Sequence, residues 1–187
     1  AIDINKYKFS QKYRKEIREE FHLEEHQKVV GMIGIINRFK NQNFLIEIAK
    51  KLPDVTFLFV GEGPDRIFLE ANSKELINVI FTGKREDAYK FYSAFDIFAF
   101  PSLYEGFPMV LIEAQCSGVN IIMNETIDST TQVANNICTA LPLDKNKWID
   151  YIQNVQVMNN KRDFDERLMA FDINQNIINL KEIYQKG

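Results

Sequence analysis

Cysteine, histidine and tryptophan are scarce in this sequence: 187 residues carry two cysteines, two histidines and one tryptophan. Cys116 and Cys138 have no metal-ligand spacing and cannot staple a small secreted domain. Both sit among small or apolar neighbours and read as free core thiols in a reducing compartment. His22 and His26 have a spacing that suits a metal on a helix. They stand in a charged segment with Glu24 and Glu25 and without other ligands, so they read as solvated and no metal is expected. Charge of one sign is also lacking: the net charge is -3, which gives no general attraction to nucleic acid or an anionic membrane. No apolar run approaches the roughly 20 residues of a membrane helix. No leader-like segment opens the chain, and a cytoplasmic location is expected. The first residue is not Met, and the chain reads as a piece excised from a longer protein.

What is present is an ordinary apolar fraction, 45%, on a chain long enough for one domain with a substantial core. Five short apolar runs punctuate it: KVVGMIGI (28–35), VTFLFV (55–60), NVIFTG (78–83), DIFAF (96–100) and VNIIM (119–123). They are rich in Val, Ile and Phe and mostly without alternation, as strands buried on both faces are. Helical stretches lie between them: NFLIEIAKKL (43–52), DRIFLEANSKEL (65–76), EDAYKFYSAF (86–95) and PMVLIEAQCS (108–117). This alternation predicts an α/β fold, a Rossmann-like doubly wound parallel sheet flanked by helices. The expected organisation of the single domain 1–187 is an irregular, polar opening and a charged helix (1–27), a core (28–143) and closing helices (144–187). A last short strand is expected in ICTALPL (137–143), and helices over 145–158, 163–171 and 173–185.

The turn residues fall in one place. Gly34, Gly61, Gly63, Gly83 and the Pro101-Ser102 pair all follow predicted strands, on the edge where open α/β sheets bind ligands. The most informative stretch is PSLYEGFPMVLIEAQCSG (101–118). Pro108 marks a helix start, whose free N–H groups suit a phosphate, and Gly106 would let a ligand approach the backbone. Glu113 sits in an otherwise apolar helix, where a carboxylate needs donors. A ribose diol would supply two, and so would a neighbouring protein group; spacing alone leaves both readings open. Glu105, with seven residues between it and Glu113, could accept from the hydroxyls of a second sugar. Trp148, in a helical stretch with Ile149, Ile152 and Val155, reads as packing. Ser102 is in no nucleophile elbow, and the Gly61-Glu62-Gly63-Pro64 loop reads as mainly structural.

PSLYEGFPMVLIEAQCSGVNIIM resembles the glutamate-x7-glutamate motif of the group 1 retaining glycosyltransferases of GT-B fold. MIGIINRFKNQNFLIEIAKKLPDVTFLFVGEGP and NVIFTGKREDAYKFYSAFDIFAFPS are similar to the family's first four βα units, and FDINQNIINLKEIY to its closing helix. The wording EGFP-VLIEAQ is most like members that build capsular or exopolysaccharide. The resemblance covers essentially the whole chain but only the C-terminal, donor-binding half of such an enzyme, with the N-terminal acceptor domain absent.

The resemblance implies a nucleoside-diphosphate sugar donor, no cofactor and no metal. It implies that Glu113 holds the ribose hydroxyls, that Glu105 contacts the donor sugar, and that Lys40 binds the diphosphate and neutralises its leaving charge. The backbone of Gly106, Phe107, Pro108, Met109 and Val110 would lie against sugar and phosphates. Lys84 or Arg85, next to Gly83, would border the base by backbone or stem contacts, with their charges solvated. The sequence departs from the family at Gly34-Ile35, where an arginine usually follows the glycine; Arg38, three residues on, either reaches the same phosphates or is a solvated loop charge. The resemblance further implies retention of configuration, negligible transfer by this half alone, and association of the intact enzyme with the inner membrane face as the task of the missing half. The alternatives are a non-catalytic nucleotide-sugar-binding module, marked by Ile35, and a nucleotide-sugar epimerase, for which Glu105 alone is thin support.

Overall fold

The order in which six strands lie side by side decides where this molecule can hold a ligand. In the computed structural model, which describes residues 1–134, 137–156 and 162–185, the strands are β1 Val29–Ile33, β2 Thr56–Val60, β3 Val79–Gly83, β4 Ile97–Phe100, β5 Asn120–Asn124 and β6 Cys138–Leu141. They form one sheet in the order β3-β2-β1-β4-β5-β6, every pair parallel. The helices are α1 Ile4–Tyr7, α2 Gln11–Glu20, α3 Gln42–Ala49, α4 Arg66–Ser73, α5 Ala88–Ala94, α6 Met109–Cys116, α7 Lys145–Asn154 and α8 Ile173–Gln185.

Each central strand is apolar on both sides, so alternate residues feed two cores. Val30, Met32, Phe57, Phe59, Ile97, Ala99 and Ile122 pack under α3, α4 and α7, with Phe44, Leu45, Ile48, Leu69, Trp148 and Ile152. Val29, Ile33, Leu58, Val60, Phe98, Phe100, Ile121 and Met123 pack under α2, α5 and α6, with Ile17, Phe91, Phe95, Leu111 and Ala114. Fully burying one such side chain contributes about 1.5–3 kcal/mol. Gly31 lies in the middle of β1 because Phe95 occupies the space of a side chain there; an added Cβ would fall 2.3 Å from its ring. Trp148 is fully buried against Phe44 and donates its indole N–H to the Pro142 carbonyl, 2.9 Å, as its packing role requires.

Two expectations from the sequence need correction. The opening residues are not an irregular polar tail: Ile4 is 1% exposed in a third cluster with Ile112, Cys116 and Leu168, and Ile2 bridges to Asp172. Their partners are more than a hundred residues away, so no local periodicity announces them. The stretch 163–171 holds only a 3-10 segment, Glu166–Phe171, with Asp165 accepting from the Arg167 N–H at its start. Val157 and Met158, the end of one expected helix, lie outside the described residues.

Candidate functional site

The sheet reverses direction of growth at β1 and β4, which are neighbours. The helix after β1 covers one face and the helix after β4 the other, so their loops part and leave a crevice at the carboxyl ends of these strands. The β1–α3 loop carries Lys40, and the β4–α6 loop carries Glu105.

Local chemistry fixes both loops. Asn37 Oδ1 accepts from the N–H groups of Phe39 and Lys40, each at 3.0 Å, which turns the chain sharply. Asn41 adopts φ 59°, a left-handed conformation that asparagine tolerates, and donates from Nδ2 to the Pro101 carbonyl at 3.3 Å. The Leu103 N–H donates to the Phe39 carbonyl at 2.8 Å. The two loops are therefore tied together across the crevice. Between them, Lys40 Nζ lies 2.7 Å from Glu105 Oε1, with side chains only 18% and 14% exposed. A pair this far out of water spends much of its attraction on desolvation. It keeps two opposite charges in place at a ligand edge.

A cleft of about 330 Å³ opens beside this pair, lined by Gly34, Ile35, Val60, Gly61, Lys84 and Ala88. Its shape depends on Gly61: φ is +140°, and a Cβ there would fall 2.0 Å from the Gly34 carbonyl oxygen. Ile35 is 58% exposed in this cleft. Lys84 is exposed, whereas its neighbour Arg85 is engaged: it forks onto Glu20 (2.5 and 2.9 Å) and Asp87 (2.8 and 3.1 Å).

Helix α6 begins after Pro108, which stands at the cap position with φ -76° and no side-chain cap, leaving the first N–H groups open. Gly106 is exposed, and nothing lies within 4 Å of where its Cβ would be, so the protein's own packing does not require a glycine there. Phe107 is also exposed, its ring stacked on Phe171 with centroids 5.9 Å apart. Met109 and Val110 are half-buried.

The structure separates the two polar residues inside α6. Gln115 is structural: it donates to the carbonyls of Leu111 and Thr131 and accepts from the N–H groups of Val133 and Ala134. Glu113 is half-buried and accepts from the Tyr92 hydroxyl at 2.6 Å. Burial, then the Glu113 charge, push the Tyr7 phenol up to about 12, and the same two causes raise Tyr92 well above its ordinary value. So the protein does offer Glu113 a donor, and that donor comes from another helix.

Of the expected site residues, Lys40, Glu105 and Gly34 meet: a Cβ on Gly34 would lie 3.8 Å from Lys40 Cε. Gly34 and Lys84 share one cleft. Arg38 is not brought to it. The turn at Asn37 sends Arg38 to a second cleft of about 350 Å³ with Gln42, Asp65 and Phe68, where its guanidinium lies 4.7 Å over the exposed Phe39 ring. His26 pairs with Glu24 on the surface at 3.0 Å. Among the described residues no group of three or more His, Cys, Asp or Glu could hold a metal ion, and no helix is long and apolar enough to cross a membrane.

Sequence reasoning missed one charged cluster that supports this edge. Arg14 and Arg18 are buried and converge on Asp96, at 3.1 and 3.4 Å, just before β4. Both also donate to carbonyls at the end of α5. The signal was present: Arg14, Ile17, Arg18 and Phe21 share a helical spacing that reads as one inward face.

Comparison with known proteins gives the family and the fold. The family described as glycosyl transferases group 1 matches residues 13–170. EpsF of Bacillus subtilis (strain 168), a protein named as a glycosyltransferase, is 31% identical over 83% of this chain, which spans 44% of its length. The crystal structure of HepE from Anabaena in complex with UDP-glucose superposes with a TM-score of 0.69 at 25% identity, covering 82% of this chain and 45% of that one. Sucrose-phosphate synthase from Thermosynechococcus elongatus superposes at 0.77, over 99% of this chain and 50% of that one; at 22% identity it attests the fold.

Proposed function

The chain belongs to the group 1 glycosyltransferase family, and we propose that it is the donor-binding half of an enzyme that moves a sugar from a nucleoside diphosphate to a polysaccharide or glycolipid acceptor. The observation that carries this reading is the Lys40–Glu105 pair, 2.7 Å apart in the crevice between β1 and β4. One group is suited to a diphosphate and the other to sugar hydroxyls, and in the absence of a donor each neutralises the other. HepE is known with UDP-glucose bound, and UDP is the nucleotide we propose for this chain. Its base would enter the cleft beside Gly34 and Lys84, its ribose would meet Glu113, and its phosphates would lie against the open N–H groups of α6 and the backbone from Gly106 to Val110.

In the proposed reaction the bond between the anomeric carbon and the diphosphate oxygen breaks, and its electron pair leaves with the diphosphate. Lys40 stabilises that charge, the role an oxyanion-stabilising donor plays elsewhere. The acceptor hydroxyl attacks from the side the diphosphate leaves, with retention of configuration, and its proton passes to a phosphate oxygen. No metal and no cofactor take part in this scheme. The acceptor belongs to a further domain, which is why the 187-residue chain alone should transfer negligibly. The intact enzyme would work in the cytoplasm, against the inner membrane face.

The test is transfer by the intact protein. Lys40→Ala should lower kcat by about 10²–10³-fold, as loss of one charge-stabilising donor does. Unchanged kcat would remove Lys40 from the chemistry. A second reading has one specific observation behind it: Ile35 is exposed in the cleft, and Arg38 lies in the other one. In that reading the domain binds nucleotide sugar without transferring it. An intact protein that is inactive but gains transfer on Ile35→Arg would favour it.

A further inference from the structure

Glu113 is held from outside its own helix. The Tyr92 hydroxyl, on α5, donates to Oε2 at 2.6 Å. Tyr7, at the end of α1, meets the Tyr92 ring edge-on with centroids 5.9 Å apart, and its phenol lies near enough to the same carboxylate to feel its charge. One phenol thus bonds the carboxylate, and a second, from a separate element, stands beside it. Packing does not require the Tyr92 hydroxyl. Tyr92 is 1% exposed among Phe95, Phe98 and Tyr7, where a phenylalanine would fill the same space. The ion pairs of the described residues do not include Glu113.

The choice of neutral donors has a consequence. A lysine or arginine partner would cancel the charge of Glu113 and compete with any ligand. A phenol orients the carboxylate without bringing a charge that cancels it. A carboxylate offers about four acceptor positions. The Tyr92 hydroxyl occupies one of them, and the rest can take the two donors of a ribose diol.

We propose that Tyr92, assisted by Tyr7, is a positioning residue that fixes the Glu113 carboxylate for a vicinal diol, so that the site selects ribonucleotides over 2′-deoxyribonucleotides. This rests on the reading of Glu113 as the ribose acceptor. It adds that α1, at the start of the chain, reaches the nucleotide site through Tyr7.

The experiment compares UDP with 2′-deoxy-UDP by calorimetry, on the wild-type chain, Tyr92→Phe and Tyr7→Phe, with cooperative melting as the folding control. The wild type should prefer UDP by about tenfold or more, the worth of one hydrogen bond to a charged group. Tyr92→Phe should cut that preference to roughly threefold or less, with UDP losing more affinity than 2′-deoxy-UDP, because a two-hydroxyl contact depends on the carboxylate's orientation more than the single 3′-hydroxyl contact does. A merely packing role would move both affinities together or neither, and a Tyr92→Phe protein with the wild-type preference overturns the proposal. If Tyr92→Phe does not fold, Tyr7→Phe is read the same way. A wild type that binds UDP and 2′-deoxy-UDP alike defeats the ribose reading itself, and the proposal falls with it; that outcome is visible before any variant is made.

Discussion

Asp96 accepts from Arg14, from Arg18 and, at 2.8 Å, from the Val29 N–H that starts β1. It joins α2, the end of α5 and two central strands, all without exposure to water. Removing one partner from such a group leaves buried charge uncompensated, which costs about 3–5 kcal/mol. Asp96→Ala should therefore lower the unfolding free energy measured in urea by that much, whereas Glu25→Ala, whose side chain is largely exposed, should cost under about 1 kcal/mol. Equal effects of the two would show that the cluster is not the buried one described. At this scale the sequence is partly legible. Glu105 stands out by its spacing to Glu113, and Lys40 only through the family it resembles, because 65 positions separate two residues that meet at 2.7 Å. The pairings of Asp96 and of Glu113 are not legible: the inward face that carries Arg14 and Arg18 can be read from its spacing, and a carboxylate's need for donors from its apolar neighbours, but not which distant arginine or tyrosine meets which carboxylate.

Among the elements, α6 is apolar on most sides because it faces two clusters. Leu111 and Ala114 pack under the sheet, and Ile112 and Cys116 pack against Ile4 and Leu168. That leaves Gln115 to bind the segment that follows β5, and it does so with three hydrogen bonds, to Thr131, Val133 and Ala134, besides one to Leu111 in its own helix. Gln115→Leu keeps the volume and removes these bonds. Hydrogen exchange at Val133 and Ala134 should then accelerate by at least tenfold, since their N–H groups lose the Gln115 oxygen, while the β-strand amides keep their protection. Unchanged exchange at those two amides would mean that the segment is held by something else. The strands and central helices were legible because their apolar runs are buried on both faces and bounded by turn residues. The opening ten residues and the stretch 163–171 were not, because their few apolar side chains pack on distant elements rather than repeating along their own.

For the whole molecule, the groups held neutral inside it set how it responds to base. Burial pushes Cys116 and Cys138 up to about 12 from the ordinary thiol value of 9.0, with the Glu113 charge adding to the effect at Cys116; Tyr7 rises to about 12 from 10.0. Each folded pKa lies above its unfolded value, so the folded state keeps protons that the unfolded state has lost. Stability therefore falls as pH rises from about 9 toward 12. Melting temperature should be level from pH 7 to 8.5 and decline beyond it, and a protein that melts higher at pH 10 than at pH 8 would contradict the burial of these groups.

The central claim is that the crevice between β1 and β4 binds a nucleoside diphosphate through this chain's own residues. Calorimetric titration with UDP, GDP and ADP, on the wild type and on Glu113→Ala, tests it most directly. The account predicts saturable binding of one nucleotide, UDP, weakened about tenfold or more when the carboxylate is removed. Equal affinity of the wild type and Glu113→Ala for UDP, or no binding of any of the three by a folded chain, would contradict it.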